Sequence, residues 1–299
     1  MIDGWKYYTH CAIPTTAPTQ PVDLTPIEDG RIWTQLTKKP RPVWFARWTS
    51  DWDCGFETDW WYVILEGPYD ISALSKKSRY NVQKSLKNCE VKLLTPEECE
   101  KYADDLWRVC NEAAERYANF KVAVSKEKFV ADTISNAKKE VGPRTEYWAG
   151  FERETGEMIG YKVCRVYDDC VTFVSSNYSA QKLKLRVSDA LNHEVLAHYL
   201  TVGGLKCAIN GERSIDHVTN VQDYYRERFQ FRKAYCRLNL RYKFPFGLVV
   251  RAARVLNLLP DGLRKKIDRG ALHRVFSIVK MDKIARSFTA QRDANAQTR

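Results

Sequence analysis

The order of secondary-structure signals between residues 90 and 242 limits what this chain can fold into more than any other feature. Glu90-Val91-Lys92-Leu93-Leu94 has the alternation of a strand. Thr95 then caps a helix opening Pro96-Glu97-Glu98, and Glu98 at the third helical position completes a capping box. That helix is predicted to run to about Ala118, and a second spans Ser125 to Lys139 and stops before Gly142-Pro143. Three strands are predicted at 145–153, 157–167 and 170–176, with Glu154-Thr155-Gly156 and Tyr167-Asp168-Asp169 as their turns. A helix over 180–201, a strand, a short helix holding Tyr224-Tyr225 and a last strand close the segment. Strand, two helices, three strands, helix, strand, helix, strand is the order of an α/β fold.

Composition narrows the class. The chain has 299 residues, 44% hydrophobic and 28% charged, as expected of a water-soluble globular protein. It holds no run of apolar residues long enough to span a bilayer and no apolar signal core near Met1. The expected location is therefore the cytoplasm. The nine cysteines include no Cys-x-x-Cys pair, so reduced thiols are expected and neither a zinc site nor a disulfide framework. A Gly-x-x-x-x-Gly-Lys-Ser/Thr loop, a Gly-x-Gly-x-x-Gly turn, a Gly-x-Ser-x-Gly elbow and His-Glu-x-x-His are all missing. Their absence argues against phosphate-loop, dinucleotide, serine-hydrolase and zinc-protease chemistry.

Three regions are expected. Residues 1–89 carry seven of the nine tryptophans and, before residue 43, six of the eleven prolines. The prolines predict an irregular, extended start, followed by strands at 42–48 and 60–65 and a basic helix over 70–88. Residues 90–242 form the α/β domain. Residues 243–299 form a basic helical appendage with thirteen Lys/Arg against four Asp, so +9 of the net +11 lies there. Within the appendage Leu272, Val275, Phe276 and Val279 form an apolar stripe among Arg274, Lys280, Lys283 and Arg286. That pattern suits a helix lying on an anionic membrane over 244–288, which would make the protein peripheral on the inner membrane face.

The segment Val171–Leu240, with its strand, basic turn, amphipathic helix, strand, tyrosine-ended helix and strand, resembles the cofactor-binding half of the GNAT acyltransferase superfamily, and more closely its Fem-like members. The resemblance covers roughly residues 90–242. It implies a GNAT-like fold with a mixed, largely antiparallel sheet flanked by helices. It also implies transfer of an acyl group from acetyl-CoA or another acyl-CoA to an amine, with no metal. The acceptor would be a small molecule or a lipid- or nucleotide-linked cell-surface precursor.

Candidate site residues follow from the resemblance and the local chemistry. The turn Ser175-Ser176-Asn177 to Lys184 stands where GNAT proteins hold the pyrophosphate of coenzyme A. It has no glycine and offers Lys182, Lys184 and Arg186 at a helix N-terminus, where unpaired N–H groups favour an anion. Asn220 stands where many GNAT proteins contact the cofactor. Tyr225, ahead of Phe229-Gln230-Phe231, is the candidate general acid for the leaving thiolate, with Tyr224 packing inward, against two aromatics that only anchor the short helix to the sheet. Glu194, four residues before His198, is the candidate base, against a purely structural pairing of the two. On the basic helix, Arg79, Asn81 and Lys84 are candidate acceptor contacts, against a solvated face. Two further readings stay open. One is a Fem-like transferase with aminoacyl-tRNA as donor, suited by the glycine-free turn. The other is a non-catalytic module on a degenerate transferase fold.

Overall fold

The structure, a computed structural model, describes residues 2–38, 40–115, 124–215, 220–256 and 271–297. It opens with β1 (Trp5–Tyr8), β2 (Cys11–Pro14) and the single turns α1 (Thr25–Glu28) and α2 (Ile32–Gln35). Then come β3 (Phe45–Ser50), β4 (Trp60–Glu66), α3 (Lys76–Asn88) and β5 (Cys89–Leu94). The helices α4 (Pro96–Lys101), α5 (Ala103–Glu115) and α6 (Lys126–Ala137) lead to the meander β6 (Arg144–Glu152), β7 (Met158–Val166) and β8 (Cys170–Tyr178). Next are α7 (Val187–Leu196), β9 (Cys207–Glu212), α8 (Val221–Phe229) and β10 (Arg232–Tyr242). Two helices end the chain, α9 (Phe246–Leu256) and α10 (Ala271–Gln297). The order expected from residue 90 onward is present, except that the first of the two expected helices is divided at Tyr102 into α4 and α5. The expected end of the α5 region at Ala118 lies outside the described residues.

Packing divides the chain into two compact units. One holds Met1–Tyr62, Glu212–Thr219 and Lys233–Arg299, and the other Val63–Gly211 and Asn220–Arg232.

In the second unit β5, β6, β7 and β8 form an antiparallel run, and β9 joins β8 in parallel. One sheet face packs Leu94, Tyr147, Met158 and Tyr161 against Cys99 of α4 and Leu106 and Val109 of α5 in a common core. On the opposite face α7 comes unusually close to the strands. Gly150 and Gly160 are register partners on β6 and β7. A Cβ on Gly150 would lie 2.4 Å from a methyl of Val187, and one on Gly160 2.9 Å from the other. Only the missing side chains let the first turn of α7 settle there.

Helix 180–201 of the sequence reading is shorter at its start and changes form at its end. Residues Leu183–Leu185 make a 3₁₀ turn, Arg186 takes a left-handed conformation (φ 59°), and α7 begins only at Val187. From Ala197 to Val202 the winding becomes a π-helix. The basic helix is also divided: Asp70 caps a 3₁₀ turn, Ile71–Ala73, and Ser75 caps α3.

In the first unit β2 runs parallel to β3 and β10 runs antiparallel to it. The irregular start expected from its prolines is in part regular. Pro14 ends β2 and Pro26 sits in the first turn of α1, where a missing N–H breaks no ladder. Trp5, Ile27, Ile32 and Val43 share a core there. A second cluster joins Cys11 and Phe45 to Val250 and Ala253 of α9 and Ile278 and Val279 of α10. This corrects the membrane-facing reading of the α10 stripe. Phe276 and Val279 are buried and Val275 packs against the cluster, so the stripe covers the protein's own sheet. The side chain of Leu272 lies outside the described residues. Buried Asp282 fixes the arrangement by accepting hydrogen bonds from Tyr242 (3.0 Å), Arg254 (2.8 Å) and Arg286 (2.8 Å).

Candidate functional site

The second unit has an opening between two parallel strands. β9 pairs with β8 only from Cys170 to Thr172, whereas β8 continues to Tyr178 along β7. The β7 register skips at Val174, which bulges and is exposed beside Ser175. Beyond Thr172, among the described pairings, β8 has a neighbour on one edge only. Its outer amides and carbonyls face that opening.

A directed hydrogen-bond chain runs beneath the opening. Lys162 of β7 is fully buried, and its ammonium donates to the Tyr225 hydroxyl at 2.7 Å. Tyr225 donates to Asn192 Oδ1 at 2.9 Å. Asn192 Nδ2 donates to the Tyr224 hydroxyl at 3.2 Å, and Tyr224 donates to Asp189 Oδ1 at 2.7 Å. Ser176 of β8 also hydrogen-bonds Tyr225. A cation at one end and a carboxylate at the other set the direction of every donor between them. Aromatic rings line the chain: Lys162 Nζ lies 3.9 Å from the Phe173 ring centre, and the Phe231 ring is tilted 60° against Tyr225 with centres 5.0 Å apart. Burial pushes the Lys162 ammonium down to about 8. Burial also pushes both phenols up, with Asp189 adding to the effect at Tyr224.

The sequence-named residues fall into three groups. Tyr225 and Ser176 belong to the buried chain, Tyr225 inside it and Ser176 at its half-exposed edge. Tyr224 also points inward, so the two tyrosines act together. Ser175 and Asn177 point to the opposite face, where Asn177 donates to Tyr161 at 2.9 Å. Lys182 is held by Glu152 at 2.6 Å, and Arg186 lies 3.7 Å from Asp189. Lys184 is exposed at the same turn, and Asn220 stands exposed at the start of α8.

Glu194 is half-buried on α7. Among the described residues no hydrogen bond or ion pair joins it to His198, because the π-turn from Ala197 breaks the four-residue spacing. His198 packs edge-on against Trp148, and Tyr69 meets His193 at 3.0 Å beside Glu194. Burial lowers His193, with Glu194 opposing. On α3 the three candidates diverge. Arg79 ties down the carbonyl of Leu74 at 2.9 Å, Asn81 is buried, and Lys84 faces solvent with Lys76, Lys77 and Lys87.

Lys162, Asn192 and Asp189 are absent from the sequence reading. The available signal was a lone lysine inside the apolar run Met158-Ile159-Gly160-Tyr161-Lys162-Val163-Cys164. Among the described residues no group of three or more His, Cys, Asp or Glu could hold a metal ion.

No protein-family model and no curated protein matches the sequence. Among solved structures the chain is similar to GNAT-fold proteins. The L-PGS of Bacillus licheniformis is 14% identical over 85% of this chain and 84% of its own, with a TM-score of 0.49. The C-terminal domain of an Agrobacterium fabrum protein described as a lysylphosphatidylglycerol synthetase is 11% identical over 84% of each chain, at 0.49. A tandem GNAT protein of the clavulanic acid biosynthesis pathway is 9% identical over 78% of this chain and 75% of its own, at 0.45.

Proposed function

We propose that the second unit is an acyltransferase that moves an acyl group from an acyl-CoA thioester to an amine. The observation that carries this reading is the one-sided edge of β8 above the Ser176–Tyr225–Lys162 chain. A strand edge after the Val174 bulge that no described strand pairs suits a carbonyl oxygen that gains negative charge. Lys184, Arg186 and the first turn of α7 would take the donor's phosphates. The amine nitrogen attacks the thioester carbon, forming the C–N bond as the C–S bond breaks. Glu194, acting through water, takes the amine proton. Ser176 gives its hydroxyl proton to the departing thiolate and takes one from Tyr225, whose O–H turns from Asn192 to supply it, and the Lys162 ammonium restores the phenol. The acceptor is an amine of a small molecule or of a lipid- or nucleotide-linked precursor reached from the cytoplasmic side, with Arg79, Asn81 and Lys84 on the helix that borders it.

A second reading has a specific observation in its favour. Lys182 is engaged by Glu152, and the turn lacks glycine, which weakens a pyrophosphate cradle. The exposed lysines of α3 suit a polyanionic donor such as aminoacyl-tRNA. A thermal melt with acetyl-CoA, longer acyl-CoAs and free CoA tests the first reading. A ligand at 100 times its Kd adds about 2.7 kcal/mol of stability. A shift with an acyl-CoA supports it. No shift with any of them, combined with deacylation of an aminoacyl-tRNA, transfers the assignment to the second. Turnover that survives Tyr225→Phe combined with Glu194→Gln rejects both residue roles.

A further inference from the structure

The outer face of α9 is apolar and uncovered, although its inner face is packed. Val250 and Ala253 are buried against the sheet of the first unit. Leu248, Ala252 and Val255, at helical spacing, point outward, and Val249 borders them. Phe244, just before the helix, is 81% exposed, Val255 66% and Leu248 53%. Arg251 stands exposed within this stripe.

Charge decides what such a face would meet. From Gln230 to Pro260 the sequence has seven Lys/Arg and no Asp or Glu. Arg254 is spent on Asp282, but Arg251 lies exposed within the strip and Lys243 stands just before it. An apolar strip whose own segment adds only cations fits a surface that is oily beneath and negative on top. A second copy of this chain is a poor fit, because each copy carries a net +11. Spanning is also ruled out for α9, since no described helix is long and apolar enough to cross a membrane.

We infer that the outer face of α9, with Phe244, docks on an anionic lipid bilayer as an interfacial helix. This surface belongs to the first unit and does not depend on the acyl-transfer reading. It also differs from the α10 stripe, which is spent on the protein's own core.

The test is sedimentation of the full chain with sucrose-loaded vesicles of phosphatidylcholine, alone or with 30% phosphatidylglycerol as a chosen probe composition. Leu248→Gln, Val249→Gln and Val255→Gln are combined in one variant, which leaves the net charge unchanged and alters only exposed positions. Wild type is expected to pellet with the anionic vesicles, and the triple variant to bind at least tenfold more weakly at an unchanged melting temperature. Equal binding by the variant overturns the proposal, as does equal binding to both lipid mixtures. Sedimentation velocity without lipid supplies the third arm: a wild-type dimer that the triple variant abolishes assigns the face to a second copy instead.

Discussion

Lys162 holds a charge where charge is expensive. Among the described residues its ammonium has one hydrogen bond, to Tyr225, and the face of Phe173, in a fully buried position. Burial lowers it from 10.5 to about 8. Below pH 8 both folded and unfolded chains carry the proton, and the full burial cost is present. Between pH 8 and 10.5 the folded chain releases it first, so stability rises with pH there, and above 10.5 the cost is gone. Relative to Lys162→Met, wild type is expected to gain roughly 3 kcal/mol across that window, by the equivalence of a pKa unit to about 1.4 kcal/mol. Paired urea titrations at pH 7.5 and 10 measure it; a flat difference would show that the amine is already neutral at pH 7.5. If Lys162 recharges Tyr225, kcat also falls as pH rises through about 8. Tyr225→Phe removes an acceptor from Lys162 and a donor from Asn192 together. It is expected to cost about 1–3 kcal/mol of stability and to lower kcat by about 10²–10⁴-fold. A stability loss with normal kcat would reduce the phenol to a structural role.

At the scale of elements, the closeness of α7 to β6 and β7 is the feature most exposed to test. Gly150→Ala drives a methyl to 2.4 Å from Val187, and Gly160→Ala to 2.9 Å. Overpacking of this kind costs about 1–3 kcal/mol, with Gly150→Ala expected to be the worse of the two in chemical denaturation. A rescue by Val187→Ala in the same background would place the clash where the structure has it. The strands of this unit were legible because period-two alternation and turn residues mark them; the Thr95 box formed with both of its hydrogen bonds. α7 was legible only in its middle. Left-handed Arg186 and the π-turn at Ala197 leave no periodic trace in the sequence, so Glu194 and His198 looked paired when they are not. The site was half legible for a related reason. Element order pointed to Tyr225 and Ser176, but the lysine that Tyr225 meets is 63 positions away in sequence. Lys162 stood out only as a lone lysine in an apolar run, with nothing in the sequence to say which residue it meets.

At the scale of the molecule, the chain passes between its two units after Tyr62, Gly211, Thr219 and Arg232, so neither unit is one continuous piece of sequence. The basic tail expected as an appendage is therefore part of a core. α9 and α10 cover Cys11 and Phe45, with Leu240 and Tyr242 packed beside them, and Asp282 joins β10, α9 and α10. Burial would raise that carboxyl, but Arg254, Arg286 and Tyr242 outweigh it and hold it below its ordinary value. Its contribution is thus complete above about pH 4, the ordinary carboxylate range, and is lost as pH falls through the depressed folded value. Asp282→Ala is expected to cost about 1–3 kcal/mol near neutral pH, and the difference from wild type should shrink in acid. Deleting residues 244–299 has a larger consequence. It strips the cover from the second core cluster of the first unit, and an exposed apolar patch of that kind leads to association. The truncated chain is expected to aggregate or bind a hydrophobic dye strongly, whatever its affinity for vesicles. A monodisperse truncation with a cooperative melt would mean that β2, β3 and β10 stand without α9 and α10, and the tail would regain its standing as an appendage.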